Sequence, residues 1–346
     1  MKKTIYKSIL AAGILSAGVA TVTPASAETT LTLSSWLPPS HPIVANMIVP
    51  WTEQVAEATN GNVKVKILAK GLGSPPAHFD IARKGQADVT YGVHGYQPGR
   101  FLLTKAAEFS FLGDKAEDVS VAYWRTHKKH LEAANEHEGV QLLGVFTHGP
   151  GQMYNAVRPI SSLADLKGLK IRVGGGAINT ITTAMGATPL LKSATKAYEL
   201  MSHGVADGTF FPKESIKSFK LTKLVKYATI IPKGLYNVSF FLVMNSKKFD
   251  SLSDADKAAI MEVSGENFAR ISGKAWDAAD AAGVVAMKAD GVQIQTASSA
   301  LMAEIKAKGD PIEQAWVDDV KEKTGLDGAK IMADLRAEIA NVAAGN

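Results

Sequence analysis

The chain has 346 residues, 46% hydrophobic and 21% charged, with a formal net charge of +5 and no cysteine. This composition is too apolar for a disordered chain, and a mean hydropathy of +0.02 is too low for a multi-span membrane protein. The length suits two domains, and the missing cysteine excludes disulfides and a lipid anchor attached through a cysteine.

Met1 to Lys7 is basic, Ser8 to Val22 is apolar, and Ala25-Ser26-Ala27 is a small-x-small cleavage signal. The expectation is a signal peptide over residues 1–27, a mature chain from Glu28, and release into the periplasm. The apolar run is shorter than the roughly 20 residues of a bilayer span, so no membrane insertion is expected after cleavage. Cleavage removes Lys2, Lys3 and Lys7. No lysine or arginine stripe with interleaved aromatics remains, so nucleic acid is not an expected partner.

In the mature part, Leu31 to Trp36 reads as a strand. Ile43, Met47, Trp51 and Val55 then mark an amphipathic helix, which Pro50 either kinks or restarts. Val63, Val65 and Ile67 alternate as a second strand, Pro76 to Lys84 is helical, and Asp88 to Gly92 is a third strand. A long helix is expected over Lys115 to Glu138, with His127, His130 and His137 on a solvated face. Strands follow at Gln141 to Phe146, Leu169 to Val173, Ser239 to Met244 and Val292 to Gln295. Ser253, serving as a cap, opens a helix expected to run unbroken to about Ala289. Strands alternating with helices imply an α/β fold with mostly parallel sheets, binding ligands at the carboxyl ends of strands and in the cleft between two domains.

The segment most suggestive of chemistry is Asp165 to Gly176, which ends Ile171-Arg172-Val173-Gly174-Gly175-Gly176. An arginine at a strand end offers a planar fork of donors suited to a carboxylate. The glycines leave backbone N–H groups uncovered, and the next helix adds its positive end, so Arg172 and Gly174 are candidate anion ligands. Asn179 stands where a third glycine would complete G-x-G-x-x-G, which argues against a dinucleotide and for no cofactor.

The order of motifs resembles the DctP-type solute-binding proteins of tripartite ATP-independent periplasmic (TRAP) transporters. The matching stretches are His41-Pro42, Gly85 to Val89, Ile160 to Val173, Met185 to Pro189, Ala197 to Leu200, Gly204 to Gly208 and Ser251 to Lys257. The resemblance implies a periplasmic-binding-protein clamshell with hinge strands and a long helix spanning both domains. Domain I would be 28–149 with 238–277, and domain II 150–237 with 278–346. It further implies a transport role with no catalysis, a small organic acid as ligand, the small and large membrane subunits as partners, and Arg172 as the residue that holds the ligand carboxylate. Where the family often places a second arginine, this chain has Gln152, and Asp207-Gly208 leads into Thr209-Phe210-Phe211. That substitution pattern favours a monocarboxylate, and an aromatic one would stack on Phe210 or Phe211.

Further candidates follow from position. His94 and Tyr96 lie after the third strand and offer hydrogen bonds, Trp36 offers an apolar wall, His148 and Gln152 sit at the expected domain crossing, and Lys192 is a second positive group. Two alternatives stand beside this reading. Ser193-Ala194-Thr195-Lys196 fits S-x-x-K and Lys323-Thr324-Gly325 fits K-T-G, the pattern of a penicillin-recognising serine acyl-enzyme, although S-D-N is missing. A chemoreceptor ligand module would differ only in partner.

Overall fold

The computed structural model describes residues 28–346, so the expected signal peptide lies outside the described residues. Eleven strands are present among them: β1 (Thr29–Ser34), β2 (Val63–Ile67), β3 (Val89–Val93), β4 (Val140–Thr147), β5 (Gln152–Asn155), β6 (Lys170–Val173), β7 (Thr188–Leu191), β8 (Gly208–Phe211), β9 (Tyr227–Ile230), β10 (Ser239–Asn245) and β11 (Gln293–Thr296). The α-helices are α1 (Val49–Ala58), α2 (His78–Arg83), α3 (Ala116–Thr126), α4 (Ala177–Ala184), α5 (Ala197–Ser202), α6 (Lys213–Ser218), α7 (Ser246–Asp250), α8 (Asp254–Glu262), α9 (Gly265–Ala289), α10 (Ser299–Thr324) and α11 (Gly328–Ala343).

The strands form two sheets, ordered β2-β1-β3-β10-β4 and β11-β9-β5-β8-β6-β7. Each sheet anchors one lobe of an α/β clamshell. Both sheets are mostly parallel, as expected, but each holds one antiparallel strand. β10 runs antiparallel to β3 and β4, and β5 runs antiparallel to β8 and β9. The cause is connectivity: the chain crosses between lobes at β4 to β5 and again before β10, so these strands enter their sheets from the opposite end.

The expected helix from residue 43 divides at Pro50. A π-helical turn, Val44–Ile48, precedes α1, and the proline occupies the first turn of α1, where its missing N–H costs nothing. The expected unbroken helix to Ala289 divides into α8 and α9. Gly265 takes a left-handed φ of +56°, Trp51 donates its indole N–H to Ser264 Oγ at 3.1 Å, and a Cβ on Gly265 would lie 2.7 Å from the Trp124 ring. The predicted 115–138 helix ends at Thr126, and a π-helical turn follows over His127–Leu131. That turn carries His127 inward. Both His127 and His137 are buried, whereas His130 pairs with Asp334 at 2.7 Å, so only part of the expected solvated face exists.

Helix α9 ties the lobes together. Its Asp277 accepts hydrogen bonds from the Ala116 and Glu117 amides at the start of α3, and its Asp280 accepts one from the Glu214 amide in α6. Gly273 and Gly283 permit the approach, because a Cβ at either would sit 2.2 Å from the backbone of Glu117 or Lys213. The C-terminal α11 packs on α3, with Arg125 reaching Glu338 at 3.4 Å. Among the described residues no helix is long and apolar enough to cross a membrane.

Candidate functional site

Between the lobes lies a narrow cavity lined by residues of both. One wall comes from the ends of the first sheet: Trp36, His41 and Ile43 after β1, Val93 and Tyr96 after β3, His148 after β4, and Val238 and Phe240 around the start of β10. The other comes from Arg172 and Gly174 on β6, Phe211 on β8, Glu214 and Ser215 on α6, then Phe219 and Tyr236; Trp276 of α9 completes it.

Arg172 sits in the lining at 1% exposure. Its Nε donates to the Lys192 carbonyl at 2.9 Å, and the guanidinium carbon lies 4.2 Å from the centre of the Phe211 ring, a cation–π contact. Burial lowers its pKa, with Tyr96 and Tyr236 opposing that effect, yet a guanidinium remains charged. No acidic side chain among the described residues pairs with it. A buried charge without a counterion is costly unless an anion joins it.

The glycines after Arg172 act differently from the expected backbone anion cradle. The N-terminal end of α4 is filled by Glu108, whose Oε2 accepts from the Ala177 amide at 2.9 Å, while Oε1 accepts from Ser239 Oγ at 2.9 Å. Burial holds the Glu108 carboxyl above the usual range. Gly175 and Gly176, at φ of +90° and +73°, let the Gly95 backbone and Glu108 approach; a Cβ on Gly176 would lie 2.1 Å from Glu108 Oε2. Only Gly174 keeps its place beside the guanidinium, its Cβ position 3.4 Å from Arg172 Nη2.

The other sequence candidates separate into two groups. Trp36, Tyr96, His148 and Phe211 line the cavity with Arg172 and Gly174. Tyr96 also bridges the lobes, its hydroxyl accepting from the Ala194 amide at 2.8 Å. His148 donates Nδ1–H to the Gly149 carbonyl, which leaves Nε2 as a bare acceptor; burial pushes its pKa down to about 3, so the ring is neutral. His94, Phe210, Gln152 and Lys192 lie elsewhere. His94 is buried behind the cavity, 3.1 Å from Ser239 Oγ and 2.9 Å from His137 Nε2. Phe210 faces the core by strand alternation with Phe211. Gln152 binds the Pro150 carbonyl and the Ile231 amide and so serves the fold. Lys192 is exposed and contributes only its carbonyl. Phe211 is itself engaged with Arg172 and, at 5.6 Å and 8° between planes, with Phe219.

Sequence reading missed His41, Glu214, Tyr236 and Trp276. His41 stood in a motif without a role, and Trp276 occupies the buried face of α9, where spacing alone suggests core. Ser193 and Lys196 form no nucleophile and base pair: Ser193 Oγ lies 3.1 Å from Thr195 Oγ1, and Lys196 Nζ lies 2.7 Å from Glu199. Lys323-Thr324-Gly325 ends helix α10 instead of lying on a strand. Among the described residues no group of His, Asp and Glu is placed to hold a metal.

Residues 33–319 match the family described as bacterial extracellular solute-binding protein, family 7. The chain is 43% identical to a TRAP periplasmic solute-binding protein of Bordetella bronchiseptica with bound (R)- and (S)-mandelate, with a TM-score of 0.88 over 91% of this chain and 99% of that one. It is 33% identical to a marine metagenome TRAP solute-binding protein specific for aromatic acid ligands, in complex with 3-hydroxybenzoate, at a TM-score of 0.85 over 91% and 99% of the two chains. A relative from Comamonas testosteroni, named outer membrane transporter protein TsaT, is 32% identical over 90% of this chain and 92% of its own.

Proposed function

The chain belongs to the DctP family of bacterial extracellular solute-binding proteins, the binding proteins of TRAP transporters, and on that premise we propose that it captures an aromatic monocarboxylate and presents it to TRAP membrane subunits. The observation that carries this reading is Arg172, a buried guanidinium in an aromatic cavity with no acidic partner. A carboxylate bound in bidentate fashion supplies the missing charge, and each charge-assisted hydrogen bond contributes about 1.5–3 kcal/mol.

Arg172 is the one fixed cation among the described lining residues, since His41 and His148 are neutral in their buried sites. Glu214 opposes a second carboxylate. The lining favours an aromatic body: Trp36, Tyr96, Phe219, Tyr236, Phe240 and Trp276 present rings to the space beside the guanidinium. The mandelate and 3-hydroxybenzoate held by similar proteins support the same class. Domain I comprises 28–149 with 238–277, domain II the remainder. Ligand binding closes the lobes by a hinge motion, because the cavity walls come from both. The leader over residues 1–27 delivers the chain to the periplasm.

Calorimetry on the chain from Glu28 with benzoate, mandelate and acetate tests the proposal. Binding of the aromatic acids, abolished in Arg172→Ala, is the expected result. Aromatic-acid affinity retained in that variant contradicts the assigned role of the arginine.

A further inference from the structure

Two buried polar groups in the cavity have no place in holding a carboxylate. His41 of the first lobe and Glu214 of the second face each other, His41 Nε2 lying 3.5 Å from Glu214 Oε1. Both residues are more than nine-tenths buried, and neither of these two atoms has a hydrogen-bond partner among the described residues. Their other atoms are committed. The Ile43 amide donates to His41 Nδ1 at 3.2 Å, so the proton of the neutral ring resides on Nε2. Ser215 Oγ donates to Glu214 Oε2 at 2.8 Å. A donor, Nε2–H, and an acceptor, Oε1, are therefore left over at one spot in the lining.

The spot lies away from Arg172. Arg172 is stacked on Phe211, Phe211 on Phe219, and the Phe219 ring is 5.3 Å from the His41 ring, so two phenyl rings stand between the guanidinium and the imidazole. We propose that His41 and Glu214 form a specificity subsite for a hydroxyl on the aromatic ring of the ligand, remote from its carboxylate. This rests on the reading that Arg172 holds that carboxylate. A hydroxyl is the group that accepts from Nε2–H and donates to Oε1 at once. Apolar hydrogen at that position leaves both buried groups unpaired, which is how a polar subsite rejects an analogue lacking the hydroxyl. Because the pair is linked to Arg172 only through the Phe211 and Phe219 rings, the hydroxyls that suit it are those farther from the carboxyl, meta or para, and not the ortho one.

The test is a calorimetric series on the unaltered chain from Glu28 with benzoate and 2-, 3- and 4-hydroxybenzoate, repeated with His41→Asn and Glu214→Gln. Asparagine keeps an acceptor near the Ile43 amide while removing Nε2–H, and glutamine keeps the shape of Glu214. The expected result is that the 3- or 4-hydroxy acid binds at least tenfold tighter than benzoate and 2-hydroxybenzoate. In each variant the ratio of hydroxy-acid to benzoate affinity falls to within threefold. The subsite is overturned by an unaltered protein that binds benzoate and all three hydroxybenzoates alike. It is equally overturned by variants that lose benzoate and the hydroxy acids in the same proportion, which marks the pair as an interlobe contact only. A protein that binds none of the four acids refutes the aromatic-acid reading itself. The ligand series needs no variant, so poor folding of either substitution leaves the proposal open to refutation.

Discussion

The Glu108 carboxylate of one lobe accepts from the Ala177 amide of the other at 2.9 Å, filling the positive end of α4. Ser239 donates to the same carboxylate through both its amide and its hydroxyl. Glu108 thus joins the lobes at the edge of the site. Replacing it by alanine strands three buried donors, at about 1–3 kcal/mol for each unsatisfied group. Glu108→Ala is expected to lower the melting temperature by several degrees and to weaken benzoate. Differential scanning fluorimetry with and without ligand checks both, and an unchanged melting temperature contradicts the assignment.

Gly95 meets Gly175 and Gly176 across the cleft, and a Cβ on Gly95 would lie 2.7 Å from the Gly176 amide nitrogen. Neither backbone can yield cheaply. Gly95→Ala is expected to hold the lobes apart, reducing benzoate affinity at least tenfold while each lobe stays folded. Small-angle scattering in saturating ligand should give a larger radius of gyration than for the unaltered protein. Equal radii would show that closure does not need this contact.

Phe211 lines the cavity and also lies against the guanidinium, a contact that the sequence did not suggest. Phe211→Leu removes the cation–π contact, which is worth about 2 kcal/mol at a desolvated site. The expected outcome is a similar fold loss of affinity for mandelate and for any aliphatic monocarboxylate that binds. A loss confined to aromatic acids would instead assign Phe211 the ligand stacking expected from the sequence.

Asp280 carries a pH signature. Burial raises its pKa from 3.8 to about 7 in the folded chain, with the Glu214 amide and Lys213 opposing. Between pH 4 and 7 the folded state keeps a proton that the unfolded chain has lost. Asp280 therefore subtracts stability as pH rises through that window, at about 1.4 kcal/mol per unit. Buried His41 and His148, lowered to about 4 and about 3, act in the opposite direction below pH 6.5. Comparing Asp280→Asn with the unaltered protein cancels the histidines. The stability difference in favour of the variant should grow from pH 4 to 7 and then level off. Urea titrations at each pH check this, and a flat difference would contradict the raised pKa.

Much of the first lobe was legible because its strands alternate cleanly, as in Val63, Val65 and Ile67. The second sheet was not. β5, β7, β8 and β9 have four residues each, too few to display a period, and Pro189 within β7 is tolerated only because that strand lies at the edge. The break at Ser264 was hidden because it depends on Trp51 and Trp124, far away in the chain. Arg172 was legible from its strand-end position. His41 facing Glu214 and Glu108 capping α4 were not, since each joins residues far apart in the chain and packed beside different sheets.

A crystal structure of the chain from Glu28 with benzoate tests the central claim most directly. Both carboxylate oxygens should lie about 2.7–2.9 Å from the guanidinium nitrogens of Arg172, with the ring enclosed between the lobes. A carboxylate held by other groups, with Arg172 making no contact to it, would contradict the account.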